Sequence, residues 1–240
     1  MYTLTINGET SISAVIHPPV NCDETANVLI ISHGFRGSKE GGGRAILLAD
    51  QAAAIGFTVV RYDFTPLQIL SSQVLELGTV VDYARQSLGK TIYLLGRSMG
   101  GSASLALAAK NSSISGLCLW ATPWNLHETF RLALGDGYHR LATGEPFLID
   151  DTYGQVELGP EFLQDFDKFD LLQSTREIHT PLFILHGTAD AIVPLHQAQE
   201  LYHEANTPKK LELIEGADHQ FSQHAAEATT AVINWLKTIN

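Results

Sequence analysis

A short pattern near the middle of the chain limits its fold more than any other feature. Gly96 and Gly100 flank Ser98, each two residues away, in the order G-x-S-x-G. The apolar run 91–95 before it predicts a buried strand, and the small-residue run 102–109 after it predicts a helix. So sharp a turn strains its central residue and needs neighbours without side chains. The pattern predicts a nucleophile elbow that exposes the Ser98 hydroxyl; a glycine-rich turn with an accidental serine is the alternative.

The composition limits the class of protein. The 240 residues suit one α/β domain with a small insertion, and 45% hydrophobic with 17% charged residues argues against disorder. The net charge of −11 argues against nucleic acid or an anionic membrane surface as a partner. There is no signal-peptide pattern and no apolar stretch near the ~20 residues of a membrane span, so we expect a cytoplasmic protein. Cys22 and Cys118 lie far apart, without the spacing of a disulfide scaffold or metal site.

Strand and helix patterns alternate through most of the chain. The segments Tyr2 to Ile6 and Thr10 to Ile16 alternate apolar and polar residues around Asn7-Gly8, which predicts an N-terminal antiparallel hairpin. Continuous apolar runs then alternate with amphipathic patterns, which predicts a mostly parallel sheet with helices on both faces. The predicted core strands are 27–32, 57–62, 91–95, 114–120, 181–187 and 210–214, and the predicted helices are 44–55, 73–88, 102–109, 195–204 and 222–237.

Three polar side chains follow separate strands of this predicted sheet. A serine hydroxyl is a poor nucleophile, so it needs a base to remove its proton and an acid to hold that base in the right tautomer. We assign these roles to Ser98, His219 and Asp190, in the chain order expected when successive strand ends build the site. A loop-capping role is the alternative for Asp190. Asp218 is the alternative acid, but neighbouring side chains point apart in extended structure, which places it poorly to hold the His219 ring.

Such a nucleophile also needs two hydrogen-bond donors for the negative oxygen of the tetrahedral intermediate. The Met99 N–H directly follows the nucleophile at a helix start and is the first candidate. The second is the N–H of Phe35, in the loop after strand 27–32, although this residue could instead simply fill the core.

The strand–helix rhythm stops between Trp124 and Thr180, where 145–158 predicts an irregular hairpin. We therefore assign residues 1–123 and 181–240 to the α/β core and 124–180 to an inserted cap subdomain. Its aromatic residues are candidates for contact with a substrate, and packing within the cap is the alternative. The candidates are Trp124, Phe147 and Tyr153.

Four segments together resemble the α/β-hydrolases. HGFRG (33–37), GRSMGG (96–101), GTADAIVP (187–194) and GADHQF (216–221) stand where that superfamily carries its oxyanion loop, nucleophile, acid and base. The form HGFRGSKEGG and an insertion of about fifty residues are most similar to the bacterial cinnamoyl or feruloyl esterases. This resemblance implies an α/β-hydrolase fold and a carboxylesterase without a cofactor, which cleaves esters of small acyl or aryl acids through an acyl-enzyme.

The chain departs from the feruloyl esterases in two places. Arg97 and Met99 replace the usual His and Gln around the nucleophile, and the usual glycine-rich loop after 61–64 is missing, so phenolic-ester specificity is not carried over. A thioesterase, or a small peptidase or amidase, on the same triad is the alternative activity, and a non-catalytic binding protein is a remote one. We expect a small-molecule ester as substrate and no metal, nucleic acid or membrane; the oligomeric state, including a homodimer, stays open.

Overall fold

The elements alternate as predicted. A computed structural model of the chain describes residues 1–20, 27–66, 69–89, 91–151 and 154–239. Within these ranges the chain forms an eight-stranded sheet and a separate two-stranded ribbon. The strands are β1 (Tyr2–Asn7), β2 (Ser11–His17), β3 (Asn27–Ser32), β4 (Thr58–Tyr62), β5 (Thr91–Arg97), β6 (Ile114–Trp120), β7 (Phe147–Asp151), β8 (Gly154–Leu158), β9 (Leu182–Gly187) and β10 (Lys209–Ile214).

The large sheet has the order β1-β2-β4-β3-β5-β6-β9-β10. The strands from β4 to β10 in this order pair in parallel, while β1 with β2 and β2 with β4 pair antiparallel. The predicted N-terminal hairpin is therefore confirmed. Its connection is longer than the predicted Asn7-Gly8 turn, because Asn7 pairs with Ser11 and the Gly8 N–H donates to the Thr10 carbonyl at 3.1 Å.

Helices cover both faces of the sheet, so nearly all residues of the central strands β3, β4 and β9 are buried. The helices are α1 (Arg44–Ala54), α2 (Leu70–Ser87), α3 (Met99–Lys110), α4 (Leu126–Leu134), α5 (Asp136–Ala142), α6 (Glu161–Gln164), α7 (Leu171–Arg176), α8 (Leu195–Glu204) and α9 (Ala225–Ile239). Helices α1 and α9 build one hydrophobic core, and α2, α3 and α8 build the other. No helix in the described part of the chain is both long and apolar enough to cross a membrane.

Three helix starts differ from the prediction. Helix α2 begins at Leu70, three residues earlier than predicted. Helix α3 begins at Met99, three residues earlier than predicted, because Gly100 and Gly101 form its first turn despite their low helix propensity. Helix α9 begins at Ala225, three residues later than predicted. The backbone turns first, with the Ser222 N–H bonded to a carboxylate oxygen of Asp218 at 2.8 Å.

The segment 124–180 contains α4 to α7, the ribbon β7–β8 and a 3-10 turn at Asp165–Lys168. We call this segment the cap. An aromatic cluster fills its interior, with ring centroids 4.9–5.2 Å apart. Buried Gln197 of α8 holds its base, because its side-chain oxygen accepts from the Trp124 and Asn125 amides at 3.1 and 3.0 Å. The cluster consists of Phe130, Phe162 and Phe166.

Candidate active site

Ser98 stands at the turn between β5 and α3 in a strained backbone conformation, with φ 51° and ψ −128°. Two close backbone approaches require glycine beside it. A Cβ on Gly96 would lie 2.4 Å from the Gly100 carbonyl oxygen, and a Cβ on Gly100 would lie 2.2 Å from the His33 carbonyl oxygen. The Ser98 N–H donates to the Trp120 carbonyl at 2.9 Å, which ties the turn to the neighbouring strand. The serine side chain is half-buried at the carboxyl edge of the sheet.

The three side chains assigned as nucleophile, base and acid form one hydrogen-bonded chain. Ser98 Oγ lies 3.2 Å from His219 Nε2, and His219 Nδ1 lies 2.7 Å from Asp190 Oδ2. An ionised carboxylate only accepts hydrogen bonds, so Nδ1 carries the proton in the neutral ring and Nε2 accepts from the Ser98 hydroxyl. This arrangement can remove the hydroxyl proton as the serine attacks.

Asp190 is held by more than the histidine. Its side chain is fully buried, and Oδ1 accepts from the N–H groups of Ile192 and Val193 at 2.9 and 2.8 Å. Burial acts to raise the pKa of Asp190, but the hydrogen bond and charge of His219 and these two amides together lower it below its usual value. Asp190 therefore stays ionised at neutral pH. Asp218 is exposed and accepts instead from the Ser222 N–H at 2.8 Å.

The loop after β3 runs directly past the serine. A Cβ on Gly34 would lie 2.9 Å from Ser98 Cβ, so the backbone comes close to Ser98 at this point. Among the described residues, neither the Phe35 N–H nor the Met99 N–H has a hydrogen-bond acceptor. Phe35 lines the cavity beside Ser98, whereas Met99 is fully buried behind Ser98 and is not part of that lining. The Phe35 ring points elsewhere, into the aromatic cluster of the cap, 5.2 Å from Phe130 and 5.3 Å from Phe162.

Two further histidines hold the loops of this site. His33 lies between the Gly34 carbonyl, which accepts from Nδ1 at 2.8 Å, and the Phe64 N–H, which donates to Nε2 at 3.0 Å. His186 Nε2 donates to the carbonyl of Val193, whose N–H binds Asp190, at 2.8 Å. Burial lowers the pKa of both histidines, so each stays neutral and keeps these bonds.

A cavity of about 570 Å³ opens beside Ser98 and His219, within the size range of small-molecule sites. It lies between the loop 33–45 and the segment 219–225, on the α1 and α9 face of the sheet. Within the described ranges, no group of three or more His, Cys, Asp or Glu side chains could hold a metal ion.

The aromatic candidates of the cap lie elsewhere. Trp124 borders a separate surface groove, where its Nε1 donates to Glu200 at 2.8 Å. The Phe147 ring packs inside the cap, so close to Gly137 that a Cβ there would lie 2.4 Å from it. Neither of these two described residues lines the cavity beside Ser98. Tyr153 lies outside the described residues.

Sequence reasoning missed the basic side chains that do line the cavity. The signal was available in the stretch 33–44, HGFRGSKEGGGR, which places three basic residues directly after a predicted strand. The negative net charge of the chain had directed attention away from these basic residues. The basic lining residues are Arg36, Lys39, Arg44 and Arg97.

Comparisons with known proteins agree with this architecture. Residues 148–224 match the family model described as serine aminopeptidase, S33, and no curated protein matches the chain. Est1E from Butyrivibrio proteoclasticus is similar in structure, with a TM-score of 0.84 and 22% identity over 99% of this chain and 98% of that one. The esterase domain of a Rhodothermus marinus protein has a TM-score of 0.77 and 19% identity, over 100% and 99%. Pyrococcus furiosus esterase Pf2001 has a TM-score of 0.76 and 18% identity, over 100% and 93%. The chain therefore has the α/β-hydrolase fold, as the four motifs predicted.

Proposed function

We propose that this protein is a serine hydrolase that cleaves carboxylic esters of small acyl or aryl acids. The observation that carries the proposal is the hydrogen-bonded chain from Ser98 through His219 to Asp190, at 3.2 and 2.7 Å, beside a cavity. The likeness to two esterases supports it, as does the structure of Est1E with ferulic acid bound, which has 21% identity to this chain.

In the proposed first half-reaction, Ser98 Oγ attacks the ester carbonyl while His219 Nε2 takes the hydroxyl proton. The resulting imidazolium keeps its Nδ1–H on the carboxylate of Asp190, which stabilises the positive charge. The negative oxygen of the tetrahedral intermediate accepts hydrogen bonds from the Phe35 and Met99 amides. Collapse of the intermediate breaks the bond to the alcohol oxygen, and His219 donates its proton to the departing alcohol.

In the second half-reaction a water molecule attacks the acyl group on Ser98, and His219 Nε2 takes a proton from that water. The same two amides hold the second oxyanion, because the carbonyl carbon stays bonded to Ser98 throughout. Collapse returns the proton from His219 to Ser98 Oγ and releases the acid. The site then regains its starting state, so no cofactor is consumed.

The proposal is tested at the nucleophile. Ser98→Ala should lower kcat for p-nitrophenyl esters by about 10⁴-fold or more, because loss of a triad member typically has an effect of this size. A fluorophosphonate should label the wild type at Ser98 and leave the variant unlabelled. Ser112→Ala, an exposed serine in the turn after α3, is the matched control and should keep both labelling and turnover. Undiminished turnover in Ser98→Ala, or labelling at another serine, would overturn the assignment.

Cleavage of an amide bond is the second candidate. The observation that favours it is the match of residues 148–224, which include the proposed acid and base, to a family model described as a serine aminopeptidase. The same triad chemistry applies, with an amine as the leaving group. A panel of p-nitrophenyl, methyl-cinnamate, thioester and aminoacyl-amide substrates separates these activities. A higher kcat/KM for the amide than for the matched ester would favour the peptidase assignment.

A further inference from the structure

The charge of the cavity beside Ser98 is opposite to that of the protein. Acidic residues outnumber basic ones by 26 to 15 in the chain. If the cavity had the average composition of the chain, most of its charged side chains would therefore be carboxylates. Among the described residues that line this cavity, however, none is acidic and four are basic. A small cavity lined by charges of one sign focuses the local potential and favours ligands of the opposite charge. The basic residues are Arg36, Lys39, Arg44 and Arg97.

Two of these cations are anchored to the segment that carries the proposed base. Arg97 Nη2 donates to the His219 carbonyl at 2.7 Å and to Gln220 Oε1 at 3.0 Å. Arg44 Nη1 donates to the Gln220 carbonyl from the start of α1. A carbonyl acceptor orients a guanidinium, and each guanidinium has five N–H donors. Arg44 and Arg97 are therefore positioned beside the reacting groups from two different elements.

Carboxylates from several elements interact with the basic residues of the lining. Arg36 pairs with Asp151 of the cap ribbon at 2.7 Å, and Lys39 pairs with Asp63 after β4. These carboxylates do not line the cavity. Asp218 also stands outside the lining: hydrogen bonds from Ser222, and to a smaller extent the charge of Arg44, lower its pKa. These carboxylates are therefore outside the cavity lining, whereas the four basic residues belong to it.

We propose that the substrate is an anionic ester, in which a carboxylate or a similar oxyanion group occupies the cavity and is bound by Arg44 and Arg97. The inference rests on the proposed hydrolase function and narrows its substrate class. Guanidinium groups bind carboxylates through paired N–H···O bonds, which gives both orientation and affinity. The ester carbonyl then lies at Ser98 while the anion lies toward the segment 219–220. A neutral ester of the same length lacks this second point of attachment.

The test compares matched anionic and neutral esters. The first pair carries the anion on the acyl side and consists of mono-p-nitrophenyl glutarate and its methyl ester. The second pair carries the anion on the alcohol side and consists of acetoxyacetate and its methyl ester. In the second pair, hydrolysis of the acetyl ester is measured. Wild-type kcat/KM should be about tenfold or more higher for the anionic member of at least one pair, since ion pairs with one exposed and one half-buried arginine together have an effect of that order. The pair that shows the preference identifies the side of the ester that carries the anion.

Variants of Arg44 show whether charge is the cause. Arg44→Gln should lower the anionic-to-neutral ratio of kcat/KM by about three- to tenfold, and Arg44→Lys should retain most of it. A ratio is used because it cancels any common loss from a shifted His219. Arg85→Gln, on α2 and outside the cavity lining, is the matched control and should leave the ratio unchanged.

The two proposals fail differently. Hydrolysis of the neutral esters with an anionic-to-neutral ratio near one in both pairs would overturn the anionic-substrate inference and leave the hydrolase function standing. Equal ratios in Arg44→Gln and Arg44→Lys would also overturn it, because the two side chains differ in charge. Absence of hydrolysis for all four esters would contradict the hydrolase function, and the inference would fall with it.

Discussion

Replacement of Asp190 by Asn changes one atom of the proposed site while its shape is preserved. In the wild type, Oδ1 accepts from the Ile192 and Val193 amides, and Oδ2 faces His219 Nδ1 at 2.7 Å. The asparagine oxygen must stay with the two amides, because an NH₂ group there would place donors against donors. The new NH₂ therefore faces Nδ1. It forces Nδ1 to accept and moves the ring proton to Nε2, which then points at the serine hydroxyl.

The expected loss follows from that tautomer. A protonated Nε2 cannot take the proton of Ser98, so the base is absent in the dominant form of Asp190→Asn. The carboxylate that stabilises the imidazolium is also gone. Loss of this kind lowers kcat by about 10⁴-fold in triads of the same geometry, which corresponds to ~5.4 kcal/mol of transition-state stabilisation at 1.36 kcal/mol for each factor of ten.

The assay measures kcat and KM for a p-nitrophenyl ester in Asp190→Asn and Asp218→Asn. Asp218 is exposed and bonds to the Ser222 amide, so its variant should stay within about threefold of the wild type. Far-UV circular dichroism and the unfolding midpoint verify that both variants are folded. A kcat for Asp190→Asn within about tenfold of the wild type would refute the tautomer argument. A larger loss in Asp218→Asn would place the acid on the other loop.

Two further predictions concern stability. Asp165 is 1% exposed and accepts from the Ser71 amide and hydroxyl, both at 2.7 Å, so Asp165→Asn should lower the free energy of unfolding by about 1–3 kcal/mol at pH 7. Burial acts to raise the pKa of Asp165, but bonds to Lys168 and Ser71 lower it overall; its stabilisation is therefore present above the unfolded-state pKa of about 4 and lost as pH falls through the lower folded value. Urea unfolding at pH 7 and pH 3 should show the difference shrinking, and a constant difference would contradict the argument. Gly100→Ala places a Cβ 2.2 Å from the His33 carbonyl oxygen, so it should destabilise the fold by about 1–3 kcal/mol; an unchanged unfolding midpoint in the same assay would show that the elbow is not tightly packed.

The sequence alone determined the order of the elements and the site of the elbow. Burial periodicity and glycine requirements are local, so they can be read from neighbouring residues. Strands 27–32 and 114–120 and helix 195–204 have the predicted bounds. The sequence also identified Ser98, Asp190 and His219 as candidates, because each follows a predicted strand and parallel strands bring their C-terminal ends to one edge of the sheet.

Tertiary structure decided which side chains meet at that edge. The contact of His219 with Asp190, 29 positions away, joins two irregular loops, and side-chain direction in such loops has no period to read. The cap illustrates the same limit, since apolar composition cannot say whether Phe147 faces a cavity or Gly137. The basic cavity was visible only in part, because the segment 33–44 carries three of its cations in sequence, whereas only the fold brings Arg97 and the cavity walls to them. Total charge is a sum over the whole surface, whereas a ligand responds to the few charges within a Debye length of about 10 Å.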